Sequence, residues 1–441
     1  MVSYTPMTIT FVGHGYVGLV TACIFADFGN KVWVVGHTQD KINRLKNGDP
    51  IIFEPGLQEM LKKNIAAERL FFTTDYDPAI QESEIVFITV GTPSKTNGDA
   101  DLSTVFDVAQ KIGQNLKNGF TVVSCKSTVP VGTNKRVEEI ITDIKPKDAQ
   151  FAVASCPEFL REGTGLYDTL NPDRVVIGSH SQKAINLILE LHKPLPGKRV
   201  VTDLASAELI KYTSNSMLAT KISFANLISF YCEKTGADVE TVLDAVGFDK
   251  RIGRMFLYAG IGYGGACFPK DVKALTHSGK GLKLDVELLE SVEKINKQAR
   301  EQFVDKVHEH IAGKNIAIWG LSFKPNTDDI REAPSVSIIK ALLHHGYQLS
   351  VYDPEATKHI RRTFGDSLNY AEDPYEALQN ADALCILTEW NEFKQADLKK
   401  VKELMKTPLV FDGRNIYEPA IMAKAGFMYY SIGRKPVISE I

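Results

Sequence analysis

Charge of one sign is scarce in excess here. The chain carries 51 Lys and Arg against 54 Asp and Glu, a net −3 at pH 7. Nucleic acid and anionic membranes therefore gain no general electrostatic hold on it. Paired cysteines are also missing. Cys23, Cys125, Cys156, Cys232, Cys267 and Cys385 are scattered, with no C-x-x-C among them. That argues against a disulfide scaffold or a zinc site, and for a reducing, cytoplasmic setting with no metal. Long apolar runs are lacking too. The stretch from Ile9 to Phe28 is broken by glycines and follows no basic region, so it reads as strand, turn and helix rather than a signal peptide. No other stretch is long and apolar enough to span a membrane. No low-complexity tract or charge block is present. What remains is 44% hydrophobic and 24% charged over 441 residues. That is an ordinary globular composition, too long for one core and suited to two or three domains.

The segment "TITFVGHGYVGLVTACIFADFGNKVWVVG" predicts a strand over Ile9–Val12, a glycine turn, a helix over Tyr16–Asp27 and a strand over Lys31–Val35. Further short apolar runs at 84–90, 121–128, 150–156 and 173–179 alternate with helical patterns, which implies a parallel sheet covered on both faces. From Ala205 to Gly236 no proline or glycine intervenes. A helix of about 28 residues there would be about 42 Å long. It is apolar on nearly every side and should be buried between domains or subunits. Near residue 311 a second α/β pattern opens with "GKNIAIWGLSFKPNTDD", followed by "YQLSVYDP", "ADALCILTEW" and "PLVFDGRN". The expected fold is α/β: two Rossmann-like parallel-sheet domains joined by a long central helix and a helical middle segment. Boundaries are expected at 1–203, 204–300 and 301–441.

Gly13, Gly15 and Gly18 fit G-x-G-x-x-G between a predicted strand and a predicted helix. The first allows the tight turn, the second lets a pyrophosphate near the backbone, and the third lets helix and strand pack closely. A helix N-terminus favours the anion. The second strand, however, ends in Gly36-His37-Thr38, with no carboxylate for the ribose of NAD. Asp40 lies further on. His37, Thr38, Lys41 and Arg44 are able to hold a 2′-phosphate. NAD is the first choice and NADP a live alternative.

"GYGGACFPKDVKAL" places Cys267 before a predicted helix whose first turn suits Pro269. The helix dipole and Lys270 favour the thiolate. Glycines 262, 264 and 265 let the backbone close around a ligand. A nucleophilic thiol beside a dinucleotide points to aldehyde-level oxidation through a thiohemiacetal and a thioester, which water then cleaves with a base. Glu158 and Glu162 are four apart, on one face if helical. Lys211 and Asn215 share a face of the long helix. Either pair is a satisfied structural group or part of a site. Cys23, Cys232 and Cys385 lie in apolar runs and read as inert.

These residues match a family in order along nearly the whole chain: "FVGHGYVGLV", "FEPGL", "VGTPS", "STVPVGT", "PEFLREG", "ELIKYTSNSMLATKISFANLI", "GYGGACFPKD", "GLSFKPNTDDIREAPS", "YDP" and "DGRN". The chain resembles the UDP-glucose/GDP-mannose dehydrogenase family and, within it, the UDP-glucose 6-dehydrogenases. The resemblance implies an NAD-binding first domain, a helical dimerisation domain and a UDP-sugar-binding last domain. It implies that C6 of UDP-glucose is oxidised twice, to UDP-glucuronate for polysaccharide precursors. By motif, Cys267 resembles the nucleophile, Glu158 the base, and Lys211 and Asn215 the oxyanion stabilisers. Asp271 would orient Lys211 or a water that Thr128 holds. Gly13, Gly15, Tyr16, Val17, Gly18, Lys41, Thr92, Thr128, Glu162 and Arg331 resemble cofactor contacts. Glu158, Phe159, Leu160, Lys211, Asn215, Tyr258, Gly264, Phe323, Lys324 and Arg414 resemble substrate contacts. Arg251 resembles an arginine that reaches the neighbouring subunit's site, which implies a homodimer. Gly36 and Cys156, which stands where the family commonly has Asn, depart from the pattern. The rivals are a dehydrogenase of another sugar nucleotide (GDP-mannose or a UDP-N-acetylhexosamine), a cysteine-independent hydroxyacid dehydrogenase, and a non-catalytic sensor.

Overall fold

A computed structural model describes residues 4–438. The chain divides into two compact units, Met1–Ser214 with Lys273–Ser278, and Asn215–Val272 with Gly279–Ile441.

The first unit is built on β1 (Thr8–Val12), β2 (Lys31–Val35), β3 (Leu70–Thr73), β4 (Ile85–Ile88), β5 (Gly119–Cys125), β6 (Ala149–Ser155), β7 (Arg174–Gly178) and β8 (Lys198–Thr202). They lie in the order β3-β2-β1-β4-β5-β6-β7-β8. The first six follow the doubly wound order, with its switch point between β1 and β4. Ile9 and Phe11 enter one buried core while Val12 enters the other, so the sheet is buried on both faces. The helix Tyr16–Asp27 matches its sequence prediction. It stops because Gly29 adopts φ +98°, with Asn30 N–H donating to Phe25 O and Gly29 N–H to Ala26 O, a Schellman ending.

One strand expected in parallel runs the other way. The run at 173–179 does not extend the sheet in parallel: β7 meets β6 antiparallel through Ser155 and Gly178, and β8 then pairs parallel with β7. Between β6 and β7 lie a loop and the six-residue helix Gly165–Leu170. No long crossover helix is available there to return the chain in the same direction.

The second unit repeats the plan with β9 (Asn315–Trp319), β10 (Gln348–Tyr352), β11 (Asn369–Tyr370), β12 (Ala383–Ile386), β13 (Leu409–Asp412) and β14 (Met428–Ser431). Their order is β11-β10-β9-β12-β13-β14, all parallel. Counted from β9, this is the same doubly wound order as in the first unit. Ile316 and Ile318 face one core, Ala317 and Trp319 the other.

The helix Leu204–Thr235 has 32 residues, slightly more than expected. It is not buried all round. Met217, Phe224 and Tyr231 are 58%, 48% and 64% exposed. Their seven-residue spacing puts them on one stripe. No helix among the described residues is long and apolar enough to cross a membrane.

Candidate active site

In the first unit, β1 runs into Gly13, whose N–H donates to Val35 O (2.9 Å) and whose φ is +122°. A Cβ on Gly18 would lie 2.1 Å from Gly13 O, so helix and turn are packed to the limit. A Cβ on Gly15 would meet nothing within 4 Å, leaving the approach to the first helical turn open. Tight packing beside open space at a helix N-terminus fits a dinucleotide pyrophosphate. Tyr16 and Val17 begin that helix. Across the switch point, Thr89 Oγ1 donates to Val12 O and Gly13 O, each at 3.0 Å. Thr92 Oγ1 donates to Thr128 O at 2.8 Å, which joins the ends of β4 and β5. Lys41 lies on the helix Gln39–Lys46.

Glu158 and Glu162 do not share a helix face, because residues 156–162 form a loop. Glu158 is buried. Its Oε2 accepts from Leu160 N–H (2.6 Å), and its Oε1 lies 3.4 Å from Lys211 Nζ. Lys211 is buried as well, with its ammonium 5.2 Å from the Phe159 ring centroid. A buried carboxylate and ammonium in contact offset part of each other's desolvation. Glu162 is half-buried on the same loop.

Two supports of this loop, and one of the loop after Thr128, were not singled out from sequence. Buried Glu54 accepts from Gly163 N–H (2.7 Å) and Leu166 N–H (3.1 Å), and the Tyr16 hydroxyl also accepts from Gly163 N–H (2.6 Å). Arg174 stacks on Phe159, 3.8 Å from the ring centroid. Glu208 accepts from Gly132 N–H and from both nitrogens of Asn134, pinning the loop that follows Thr128. Only Glu54 left a sequence signal, as the acid in "FEPGL".

In the second unit, Cys267 directly precedes the helix Phe268–Gly281 and is exposed, whereas the other five cysteines are buried. Its carbonyl accepts Asp271 N–H (2.9 Å), so it caps the helix, with Pro269 in the first turn. Asp271 is buried; it accepts from the Asn215 amide and from Lys270 Nζ, each at 2.5 Å. The preceding turn needs its glycines. Gly262 and Gly265 have φ of +89° and +82°, and a Cβ on Gly264 would lie 2.3 Å from Glu332 O. Gly265 N–H donates to Arg331 O, and the Arg331 guanidinium is paired with Asp329.

Arg414 is engaged with the backbone. It donates to Gly262 O (3.0 Å), Leu387 O (2.9 Å) and Phe323 O (3.4 Å), and so clamps the glycine turn. Lys324 Nζ lies 5.5 Å from the Phe323 ring centroid. Tyr258 is 54% exposed, and the Arg254 guanidinium stacks on it. Arg251 projects into solvent, its guanidinium paired with Asp249 at 2.6 Å.

Cys156 is buried against Lys126 and His192. Burial pushes its thiol above the usual range, which makes it a poor nucleophile. No cluster of metal-ligating side chains occurs among the described residues.

The glycine turn and doubly wound sheet of the first unit are those of a nucleotide-binding α/β domain, and the second unit repeats the sheet order. Three family descriptions follow one another along the chain: the NAD binding domain over residues 7–196, the central domain over 205–298 and the UDP binding domain over 317–419, all of the UDP-glucose/GDP-mannose dehydrogenase family. The chain belongs to that family. It is 47% identical over 435 residues to the UDP-glucose 6-dehydrogenase YwqF of Bacillus subtilis, covering 98% of this chain and 99% of that protein. Among solved structures it is similar to a UDP-glucose dehydrogenase from Pyrobaculum islandicum, with TM-score 0.92, 35% identity and 99% of both chains covered. A UDP-D-ManNAc dehydrogenase from Pyrococcus horikoshii has TM-score 0.83 and 26% identity, covering 97% of this chain and 99% of that one.

Proposed function

We propose that this protein oxidises UDP-glucose at C6 to UDP-glucuronate, with NAD as the acceptor. The observation that carries the reading is Cys267, the exposed thiol at a helix N-terminus. It stands in a chain related over nearly its full length to UDP-glucose 6-dehydrogenases.

When bound, NAD supplies a hydride acceptor for each of the two oxidations. The remaining steps belong to the chain's own side chains. In the first oxidation the C6 hydroxyl gives its proton to water and C6 gives a hydride to the acceptor, which leaves an aldehyde. The Lys211 ammonium and the Asn215 amide stabilise negative charge on that oxygen. Asp271 holds the Asn215 amide in place. The Cys267 thiolate then adds to the aldehyde carbon, forming a thiohemiacetal. Loss of the second hydride leaves a thioester. Glu158 takes a proton from water as the water attacks, the carbon–sulfur bond breaks, and the acid and the Cys267 thiolate emerge. Thr128, on the loop after β5, holds that water in this reading. Gly13, Gly15, Gly18, Thr92, Glu162 and Arg331 serve the cofactor. Phe159, Leu160, Tyr258, Gly264, Phe323 and Lys324 serve the sugar nucleotide, and Arg414 shapes their loop.

The active form is a homodimer. Met217, Phe224 and Tyr231 form an exposed apolar stripe on the long helix, and Phe248, Ile252 and Met255 are exposed beside Arg251 in sequence. That arrangement suits an interface from which Arg251 reaches the neighbouring site.

The test is a substrate panel. UDP-glucose should give a kcat/KM at least about tenfold above those of GDP-mannose and UDP-N-acetylmannosamine, a modest requirement for a pocket that distinguishes polar groups. Preference for an N-acetylated sugar would move the protein to the other branch of its family.

A further inference from the structure

The end of β2 carries Gly36, where dinucleotide folds usually place an acid against the adenosine ribose. The glycine does not serve a positive φ. Space is the reason for it. A Cβ at position 36 would lie 2.3 Å from His14 Cδ2, 3.1 Å from His14 Nε2 and 2.9 Å from Ile42 Cδ1. The His14 imidazole, from the glycine turn itself, therefore fills the room of the strand-end side chain. His14 is only 7% exposed, yet its Nε2 has no hydrogen-bond partner among the described residues. An unpaired buried nitrogen is costly unless something bound there pairs with it. The His37 ring lies 5.4 Å away, tilted. Burial first, then Lys41 and His37, hold the His14 imidazole below its usual pKa. It is thus neutral near pH 7 and able to donate or accept one hydrogen bond according to its tautomer.

We propose that His14 Nε2 takes the 2′-hydroxyl of the cofactor's adenosine ribose, the contact made elsewhere by a strand-end acid, and that this exchange removes the negative charge that would repel a 2′-phosphate. The inference rests on the first unit binding NAD. His14 and Gly36 form one device, since the imidazole fits only while position 36 has no side chain. Lys41 and His37 add positive or neutral groups beside it, so NADP is admitted as a weaker second ligand.

The test is equilibrium binding by calorimetry of NAD, 2′-deoxy-NAD and NADP to the whole protein. Wild type should bind NAD about fivefold more tightly than 2′-deoxy-NAD, the worth of one ordinary hydrogen bond. His14→Phe keeps a ring in the space but loses the nitrogen, and should erase that preference. The double variant His14→Ala with Gly36→Asp restores an acid and the room for it. It should bind NAD and lose about tenfold or more in NADP affinity relative to NAD, by like-charge repulsion. Thermal melting of each variant separates misfolding from lost recognition. A preference unchanged in folded His14→Phe, or absent in wild type that still binds NAD, would overturn the inference and leave the cofactor reading intact. Failure of wild type to bind NAD would overturn both.

Discussion

At the scale of single residues, the proposed chemistry rests on Cys267, Glu158 and Lys211. Cys267→Ala should lower acid formation by at least about 10³-fold, because no other thiol is exposed to replace it. Glu158→Gln should slow turnover by about 10²–10⁴-fold. Mass spectrometry of the quenched variant should find the acylated enzyme, whereas equal slowing with no adduct would remove Glu158 from the hydrolytic step. Lys211→Ala would leave the Glu158 carboxylate buried without its cation. A loss of about 3 kcal/mol or more in denaturant unfolding is expected, and a change below 1 kcal/mol would mean the pair is more solvated than its burial implies. Cys267 was legible in the sequence because glycines precede it and a proline follows it. Glu54, Arg174 and Glu208 were not legible as supports. Glu54 and Glu208 meet Gly163 and Asn134 at sequence separations of 109 and 74, Arg174 meets Phe159 across a loop and a helix, and no local pattern marks such pairings.

At the scale of elements, the glycine turn separates two effects that a sequence motif merges. Gly18→Ala places a Cβ 2.1 Å from Gly13 O and 2.6 Å from Thr89 Oγ1. The helix must shift, at a cost of about 1–3 kcal/mol, visible as a lowered melting temperature. Gly15→Ala meets no protein atom, and its φ of −74° suits any residue. It should melt like wild type and still bind NAD about tenfold or more weakly, since the methyl group occupies the pyrophosphate's approach. Equal melting temperatures for both variants would contradict the packing argument. The βαβ units were readable because hydrophobic periodicity changes from strand to helix and back. Edge strands such as β3 and the two-residue β11 were missed because they are short and only partly buried, without the continuous apolar run that marks the equally short β4, β12 and β13. The reversal of β7 was missed because periodicity records which residues face inward, not which way a strand runs.

At the scale of the whole molecule, the sequence disclosed two α/β halves and an apolar helix between them. Which stripe of that helix stays exposed emerged only once the rest of the chain had covered its other faces. If the exposed stripe carries the proposed dimer, Phe224→Asp should give monomers in light scattering and depress activity. Arg251→Ala should keep the dimer and raise KM for the sugar nucleotide. A monomeric wild type with full activity would rule out a shared site. The double oxidation through Cys267 can be counted directly. Limiting UDP-glucose is mixed with excess NAD, and reduced nicotinamide per sugar is read by absorbance. Two equivalents are predicted, with UDP-glucuronate as the sole product. A single equivalent, with the reaction ending at an aldehyde or a ketone, would contradict the thioester route and leave Cys267 without its role.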